Sequence, residues 1–209
     1  MKVTKYPQSC LLLEKNGKRL LIDPGSLVSP KYPASDLGPV DAILITHEHS
    51  DHADPELIKR LAGKGTPVIG NQSTSDTLNN IVTQIVRDGE QFESAGFQIQ
   101  ARELPHCLMV DGSAGPQNTG YVVDGVFFHP GDGDSIEGLH VTTLAVPIAG
   151  PDIGPRDIFD FIKQVQCEKV VPIHYDYFPA DPNFYANLAK SSNLGVEFIV
   201  LDNGQSAEI

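Results

Sequence analysis

Short apolar runs alternate with polar segments through the first part of the chain. Runs such as CLLLE, RLLI and DAILIT are separated by turn sequences such as NGK and DPG, which is typical of strands. We predict further strands over VTKYPQ, TPVIG, QIVR, QFES and FQIQAREL. A helix is predicted after Asp54, which would be its N-cap, with Pro55 at its first position and Gly63 as its stop. A weaker helix is predicted over residues 74–81.

The second part of the chain repeats this order of elements. TGYVVDGVFF predicts a hairpin with Asp124 and Gly125 at its turn, and HVTTLAVP, KVVPIH and VEFIVL predict strands. Apolar residues at helical spacing predict a helix over residues 155–166, and DPNFYANLAKSS predicts another. Both halves, roughly 1–118 and 119–209, run from strands into a strand, loop, helix and strand. We therefore predict an α/β protein with two sheets packed face to face and helices outside, as a single domain over residues 1–209.

Composition restricts the partners and the compartment. Lys and Arg number 15 against 27 Asp and Glu, and the resulting net charge of −12 disfavours nucleic acid as a partner. The three cysteines are too few and too widely spaced for a disulfide framework, which favours a reducing cytoplasm. We find no signal peptide and no apolar run long enough to span a membrane. A homo-oligomer is compatible with the sequence, which does not define the oligomeric state.

The segment THEHSDHAD follows the apolar run DAILI and concentrates polar groups at a strand end. In a turn there, four side chains can point into one pocket, namely His47, His49, Asp51 and His52, and Glu48 and Ser50 would then point away. Imidazole and carboxylate groups are the ligands of zinc and neighbouring first-row metals. Crowding them without a cation would cost desolvation and like-charge energy. The alternative is a solvated, charged turn.

Further polar residues directly follow apolar runs later in the chain. They are His106, Asp132 and His174, and each is either a metal ligand or a capping or turn residue. Four ligands from one loop cannot enclose two metal ions, so these residues are the candidates that would complete a dinuclear site. Asp134 lies two residues after Asp132 in HPGDGD and is a rival for the same role.

These motifs together resemble the metallo-β-lactamase superfamily. HEHSDH is similar to its HxHxDH signature, and His106, Asp132 and His174 match its later motifs in order, so the match extends from about Leu20 to His174. Within the superfamily, LLIDPG, the GD motif and PIHYDYF are most similar to the branch around ascorbate-6-phosphate lactonase. The resemblance implies a four-layer αβ/βα sandwich with two mixed sheets, helices on the outer faces and metals at one edge.

The resemblance also implies a role for each ligand. One metal would be bound by His47, His49 and His106. The second would be bound by Asp51, His52 and His174. Asp132, the aspartate of the GD motif, would bridge both metals. We expect two divalent ions, with zinc favoured by the ligand types and manganese or iron compatible with them.

This arrangement implies a metal-dependent hydrolase. Two cations that share a water lower its pKa from about 15.7 to about 7, and the resulting hydroxide would attack an ester, lactone or phosphodiester bond of a small molecule. Asp51 and Asp132 would be the catalytic residues with this metal-bound water. The alternatives are a nuclease-type phosphodiesterase, which the acidic charge disfavours, and a metal-binding protein without catalysis.

Other polar residues are candidates for supporting roles. Asp23, in LLIDPG, is expected to accept a hydrogen bond from a metal-binding histidine, and its alternative is a turn residue before Pro24. His129 is expected to line the site, although it would suit a surface turn equally well. Tyr175 and Tyr177 follow His174 and would contact substrate or pack at the rim. The cysteines are expected to be small buried residues.

Overall fold

The computed structural model describes residues 1–63 and 65–209. Its elements in chain order are β1 (Lys2–Lys5), β2 (Leu11–Lys15), β3 (Lys18–Ile22), α1 (Ala34–Leu37), β4 (Ala42–Leu44), α2 (Pro55–Leu61), β5 (Val68–Gly70), α3 (Gln72–Thr77), β6 (Gln84–Ile85), β7 (Gln91–Ser94), β8 (Phe97–Glu103), β9 (Thr119–Val123), β10 (Phe127–His129), β11 (Thr143–Pro147), α4 (Pro155–Val165), β12 (Lys169–Ile173), α5 (Pro182–Ser191), β13 (Glu197–Phe198) and β14 (Ser206–Glu208).

The strands form two mixed sheets. The first has the order β14-β1-β2-β3-β4-β5-β6 and is antiparallel from β14 to β3 and parallel from β3 to β6. The second has the order β13-β12-β11-β10-β9-β8-β7 and is parallel from β13 to β10 and antiparallel from β10 to β7. The chain changes sheet between β6 and β7, well before residue 118. The reason is that β8 pairs with β9 and so joins the second sheet. The single domain stays a prediction.

Both faces of the sheets are covered, which explains the continuous apolar runs. In β2, Leu11 and Leu13 pack between the two sheets, whereas Leu12 packs on the outer face against α2. The second sheet likewise has α4 and α5 on its outer face. A strand covered on both sides buries consecutive side chains, so CLLLE is apolar without alternation. Helix, sheet, sheet and helix make four layers, and this confirms the predicted sandwich.

Capping residues place most helices where the sequence predicts them. The Asp54 side chain accepts hydrogen bonds from the N–H groups of Glu56 and Leu57 at the start of α2, as expected of an N-cap. α4 and α5 also form where they were predicted. The helix predicted over residues 74–81 is wrong in position. α3 begins at Gln72 because the Asn71 side chain accepts the N–H of Thr74 at 2.8 Å.

The end of the chain differs from the sequence prediction. The strand predicted over VEFIVL is only the two-residue β13, and the polar segment of β14 forms a strand that its composition does not indicate. β14 pairs with β1 from Lys2↔Glu208 to Thr4↔Ser206, so the available edge of the first sheet decides its conformation. Within the described part of the chain, every helix is too short or too polar to cross a bilayer.

Candidate metal centre

Loops that follow four strands bring the seven predicted metal ligands to one place. The first cluster, as we call it, comprises His47, His49, His106 and Asp132. The second cluster comprises Asp51, His52 and His174. Within each cluster the candidate ligand atoms all lie within 4.8 Å of one another. The structure therefore assembles the same two groups of residues that the resemblance implies, with Asp132 placed in the first of them.

The Asp132 carboxylate lies between the two clusters. Its Oδ1 is 2.9 Å from His52 Nε2, and its Oδ2 is 3.1 Å from His174 Nε2 and 3.4 Å from His106 Nε2. One carboxylate thus contacts histidines of both clusters. Asp134 belongs to neither cluster. The geometry favours Asp132 over Asp134 as the bridging residue.

Hydrogen bonds at Nδ1 orient three of the histidines. His106 and His174 donate from Nδ1 to backbone carbonyls at 2.6 and 2.7 Å, and His52 Nδ1 lies 2.7 Å from Asp23 Oδ2. Because these partners accept, each Nδ1 carries a proton, and Nε2 is the ring nitrogen that faces the clusters and would bind a metal once it is deprotonated. Metal-binding histidines are commonly held by such contacts.

The converging atoms fit a divalent cation. Within the described chain, the Nε2 atoms of His52, His106 and His174 and Oδ1 of Asp132 are buried without a hydrogen bond of good geometry. Buried polar atoms in this state cost roughly 1–3 kcal/mol each, and coordination of a cation would remove that cost. Imidazole nitrogen together with carboxylate oxygen is a donor set that suits zinc, manganese and iron.

Asp23 connects the end of β3 to both histidine clusters. Its fully buried carboxylate accepts hydrogen bonds from the Thr46 N–H at 2.9 Å and the Thr46 hydroxyl at 2.7 Å, in addition to the contact with His52. The same hydroxyl lies 3.0 Å from His47 Nδ1. Asp23 adopts a left-handed backbone conformation with a φ of 51°. The structure thus places Asp23 against a candidate ligand, as the sequence predicts.

The backbone near Asp23 also approaches the second cluster closely. A Cβ added to Gly25 would overlap the carbonyl group of Asp51 and lie 2.7 Å from the His52 nitrogen. The Ser26 N–H donates to the Ser50 carbonyl at 2.8 Å, which holds the two loops together. This contact explains the glycine of LLIDPG, because only glycine fits where one backbone lies directly against another.

Gln8 supports the site and is missed by sequence reasoning. Its Nε2 donates to Asp51 Oδ2 at 2.8 Å, and its Oε1 accepts the N–H groups of Asp176 and Tyr177 at 3.1 Å. The Gln8 carbonyl also accepts the N–H of His174 at 3.1 Å. Gln8 therefore links both ends of the second cluster. Its only sequence signal is a polar pair, Gln8 and Ser9, between two apolar strands, and ordinary turns share that signal.

Burial and nearby charges have opposite effects on the pKa values of the ionisable groups in the two clusters. Burial, followed by the neighbouring His52, lowers the pKa of His47 well below its usual value. Burial would also lower the pKa of His52 and His174, but Asp132 and the other nearby carboxylates outweigh it. They hold the pKa of His52 well above its usual range and raise that of His174 to about 9. Burial opposes ionisation of Asp51 as well, yet the facing histidines lower its pKa to about 2. A cation that binds to the second cluster therefore competes with protons on two histidines.

His129, Tyr175 and Tyr177, which were predicted to line or support the site, lie in different surroundings. His129 is buried, so it is not a surface histidine. Its Nε2 donates to the Ser9 carbonyl at 2.8 Å and its Nδ1 accepts the Gly131 N–H at 3.2 Å, which supports the turn before Asp132. The Tyr175 hydroxyl donates to the Leu201 carbonyl at 3.2 Å, and its ring packs against Lys5. Tyr177 instead lines a cavity beside the clusters.

The structure also bears on the predictions for the cysteines and for Glu48 and Ser50, which lie between the candidate ligands. The cysteines, Cys10, Cys107 and Cys167, are all buried and unpaired, which confirms the expectation for them. Glu48 points away from the clusters, since it accepts the Ser73 hydroxyl at 2.6 Å. Ser50 was also expected to point away from the metals; it belongs to neither cluster and lines the cavity beside them.

Comparison with known proteins shows which family the chain belongs to. Residues 2–174 match the family model described as a β-lactamase superfamily domain. The chain belongs to the metallo-β-lactamase superfamily. A UPF0173 metal-dependent hydrolase of Methanopyrus kandleri is 28% identical, with the whole of both chains covered. The metallo hydrolase Igni18 of Ignicoccus hospitalis superposes with a TM-score of 0.78 at 24% identity, covering 100% of this chain and 98% of that one.

A second solved structure supports the fold at lower identity. The metallo-β-lactamase fold protein YhfI of Bacillus subtilis superposes with a TM-score of 0.74 at 16% identity, covering 100% of this chain and 98% of the other. The Methanopyrus relative is described as a metal-dependent hydrolase, whereas these two solved structures show the fold alone. The closer resemblance to the lactonase branch stays a prediction.

Proposed function

We propose that this metallo-β-lactamase superfamily member is a dinuclear, zinc-dependent hydrolase that cleaves an ester, lactone or phosphodiester bond of a small molecule. The observation that carries the proposal is the position of Asp132, whose two carboxylate oxygens contact histidines of both clusters at 2.9–3.4 Å. A shared carboxylate with three histidines on one side and two histidines and an aspartate on the other suits a pair of cations. Manganese or iron would suit the same ligands.

Bound divalent cations supply a strong nucleophile at neutral pH, because they lower the pKa of water from about 15.7 to about 7, and they polarise the substrate. The chain orients the reacting groups. Asp51 is ionised, lines the cavity and is held by Gln8, so one of its oxygens is available to orient a water and accept its proton. Asp23 fixes His52 in the tautomer that leaves Nε2 available.

We also propose a small-molecule substrate and a cytoplasmic location. The cavity at the clusters has a volume of about 310 Å³, near the lower end for small-molecule sites. The net charge of −12 disfavours polyanionic nucleic acid. The buried, unpaired thiols suit a reducing compartment.

Metal content and turnover test the proposal together. We expect elemental analysis to find about two equivalents of zinc per chain, in line with the two clusters. The zinc-loaded protein should hydrolyse at least one of p-nitrophenyl acetate, a γ-lactone or bis-p-nitrophenyl phosphate, and removal of zinc by a chelator should abolish that activity. Asp132→Ala should reduce kcat/KM at least about 100-fold, whereas Asp134→Ala should not. A fully loaded protein that hydrolyses none of these compounds, or equal effects of the two substitutions, would contradict the proposal.

A further inference from the structure

The cavity beside the metal clusters has apolar walls. Among the residues that form it, the large side chains outside the two clusters are Leu27, Leu108, Met109, Val110, Tyr177 and Phe178. They come from three loops, which follow β3, β8 and β12. The cavity therefore combines a reacting end, formed by His49, Asp51, His106, Asp132 and His174, with an apolar end.

The apolar side chains at the rim are unusually exposed. The exposed fractions are 46% for Leu108, 79% for Val110 and 64% for Tyr177, and these are three of the six large hydrophobic residues exposed within the described chain. Exposed apolar residues that cluster around a cleft commonly mark a ligand-binding site. Covering them with an apolar ligand would be favourable by about 0.8 kcal/mol for each methylene that the ligand buries.

Hydrogen bonds hold the backbone of the loop after β8, which carries Leu108, Met109 and Val110. The Leu108 N–H donates to Asp152 Oδ2 at 3.2 Å, and the Met109 N–H donates to the Ser113 carbonyl at 2.9 Å. These bonds hold the turn in a conformation that leaves the side chains of Leu108 and Val110 at the cavity.

Outside the two metal clusters, the described walls offer no positive charge to a substrate anion. None of the described residues that line the cavity is a lysine or arginine. Lys5 lies near the second cluster but is fully buried, with its Nζ 2.8 Å from Asn203 Oδ1 and 3.5 Å from Asp176 Oδ2. A phosphate or carboxylate away from the reacting bond would therefore be desolvated without a counterion. It would also lie in a cavity that contains the carboxylates of Asp51 and Asp132.

We propose that this cavity holds an uncharged, apolar acyl or alkyl group of the substrate, of about four to six carbons given its volume. The substrate class is then a neutral ester or lactone, and compounds that place a phosphate or a second carboxylate in this cavity are disfavoured. The inference rests on the proposed function for the reacting end and adds what the remainder of the substrate must be.

Binding of hydroxamates to the zinc-loaded protein tests the inference without turnover. Acetohydroxamate, hexanohydroxamate and adipic monohydroxamate present the same metal-binding group with a short, an apolar and a carboxylate-ended chain. By calorimetry we expect hexanohydroxamate to bind at least about 30-fold more tightly than acetohydroxamate, since each buried methylene contributes about fourfold. Adipic monohydroxamate should lose this gain. Equal affinity for all three, or tightest binding of the adipic compound, would overturn the inference.

Two matched substitutions test the location. Val110→Lys places a cation at the rim of the cavity. It should shift the ratio of the hexano and adipic dissociation constants about two- to fivefold toward the adipic compound, the range of an exposed ion pair. Val126→Lys changes an exposed valine at the β9–β10 hairpin, outside the cavity, and should leave the ratio unchanged. Equal shifts in both variants would contradict the location.

The outcome for the proposed function can be read separately. A protein that shows the expected order of hydroxamate affinities but hydrolyses no substrate would support the apolar cavity and contradict the hydrolase. A protein that hydrolyses bis-p-nitrophenyl phosphate and shows no dependence on chain length would support the hydrolase and overturn this inference.

Discussion

Asp23→Asn is the sharpest test of how the chain prepares the metal centre. The substitution keeps the size of the side chain and replaces one carboxylate oxygen with an N–H₂ group. Oδ2 now accepts from both the Thr46 hydroxyl and His52 Nδ1, at 2.7 Å each. If the amide oxygen keeps the Thr46 N–H, the new N–H₂ group faces these two donors. His52 would then move its proton to Nε2 to accept from the amide, and an Nε2 that carries a proton cannot bind metal.

The expected magnitude follows from the single contact between Asp23 and His52. Loss of a carboxylate that orients a metal-binding histidine typically costs 10–100-fold in metal affinity, or about 1.4–2.7 kcal/mol. A hydrogen bond to a charged group contributes roughly 1.5–3 kcal/mol, which gives the same range. Asp23 contacts the second cluster directly through His52 and reaches the first only through the Thr46 hydroxyl. We therefore expect the loss mainly in the zinc equivalent at the second cluster, which becomes the weaker-binding of the two in the variant.

The assay is a zinc titration in competition with a chromophoric chelator. Asp134→Asn is the matched control, since it makes the same change in a half-buried aspartate that lies outside both clusters. We expect one of two equivalents to weaken 10–100-fold in Asp23→Asn and neither to change in the control. A folded Asp23→Asn protein that binds both equivalents within about twofold of the unmodified chain would refute this account of His52.

The remaining predictions concern the supporting contacts and the protons of the site. Gln8→Ala leaves two backbone N–H groups and a carboxylate oxygen without their partner, so urea denaturation should show a loss of about 3 kcal/mol in the free energy of unfolding, against about 0.5 kcal/mol or less for the exposed Gln91→Ala. Gly25→Ala should cost about 3 kcal/mol through overlap with backbone atoms that cannot move aside, whereas Gly63→Ala, whose added Cβ meets only a side-chain oxygen at 3.8 Å, should be nearly neutral. The two histidines of the second cluster have raised pKa values and carry protons at pH 7, so loading with zinc should release about two protons, measured as a dependence of the binding enthalpy on buffer. Zinc affinity should accordingly fall as the pH is lowered through neutrality, and a buffer-independent enthalpy would contradict the assigned protonation states.

Local patterns were sufficient for much of the fold. The helix after Asp54 is defined by a cap and a proline that act on their own backbone, so the sequence predicts it correctly. The polar strand β14 carries no such local signal, because it forms only where the edge of β1 is available to it. The position of α3 depended on Asn71, whose capping role a pattern of apolar residues does not reveal.

The candidate site likewise has residues that a local motif indicates and residues that only the tertiary structure brings together. His47, His49, Asp51 and His52 are neighbours in the sequence, and their spacing alone indicates a metal site. His106, Asp132 and His174 were suggested by their position after apolar runs, but the sequence left Asp134 as a rival to Asp132. Only packing of the two sheets brings one aspartate between the clusters, since the separation of atoms from distant loops is not a local property.

The sequence by itself therefore determined the two-sheet class, the main helices and the candidate ligands of the HEHSDH segment, because each rests on periodicity, capping or a short motif. The tertiary structure decided what distant segments do together. It placed Gln8 against Asp51, set Gly25 against the backbone of Asp51 and His52, and brought three loops around one apolar cavity. None of these contacts follows from a local pattern, because a residue's burial and its partners depend on the strands and loops that come to lie beside it.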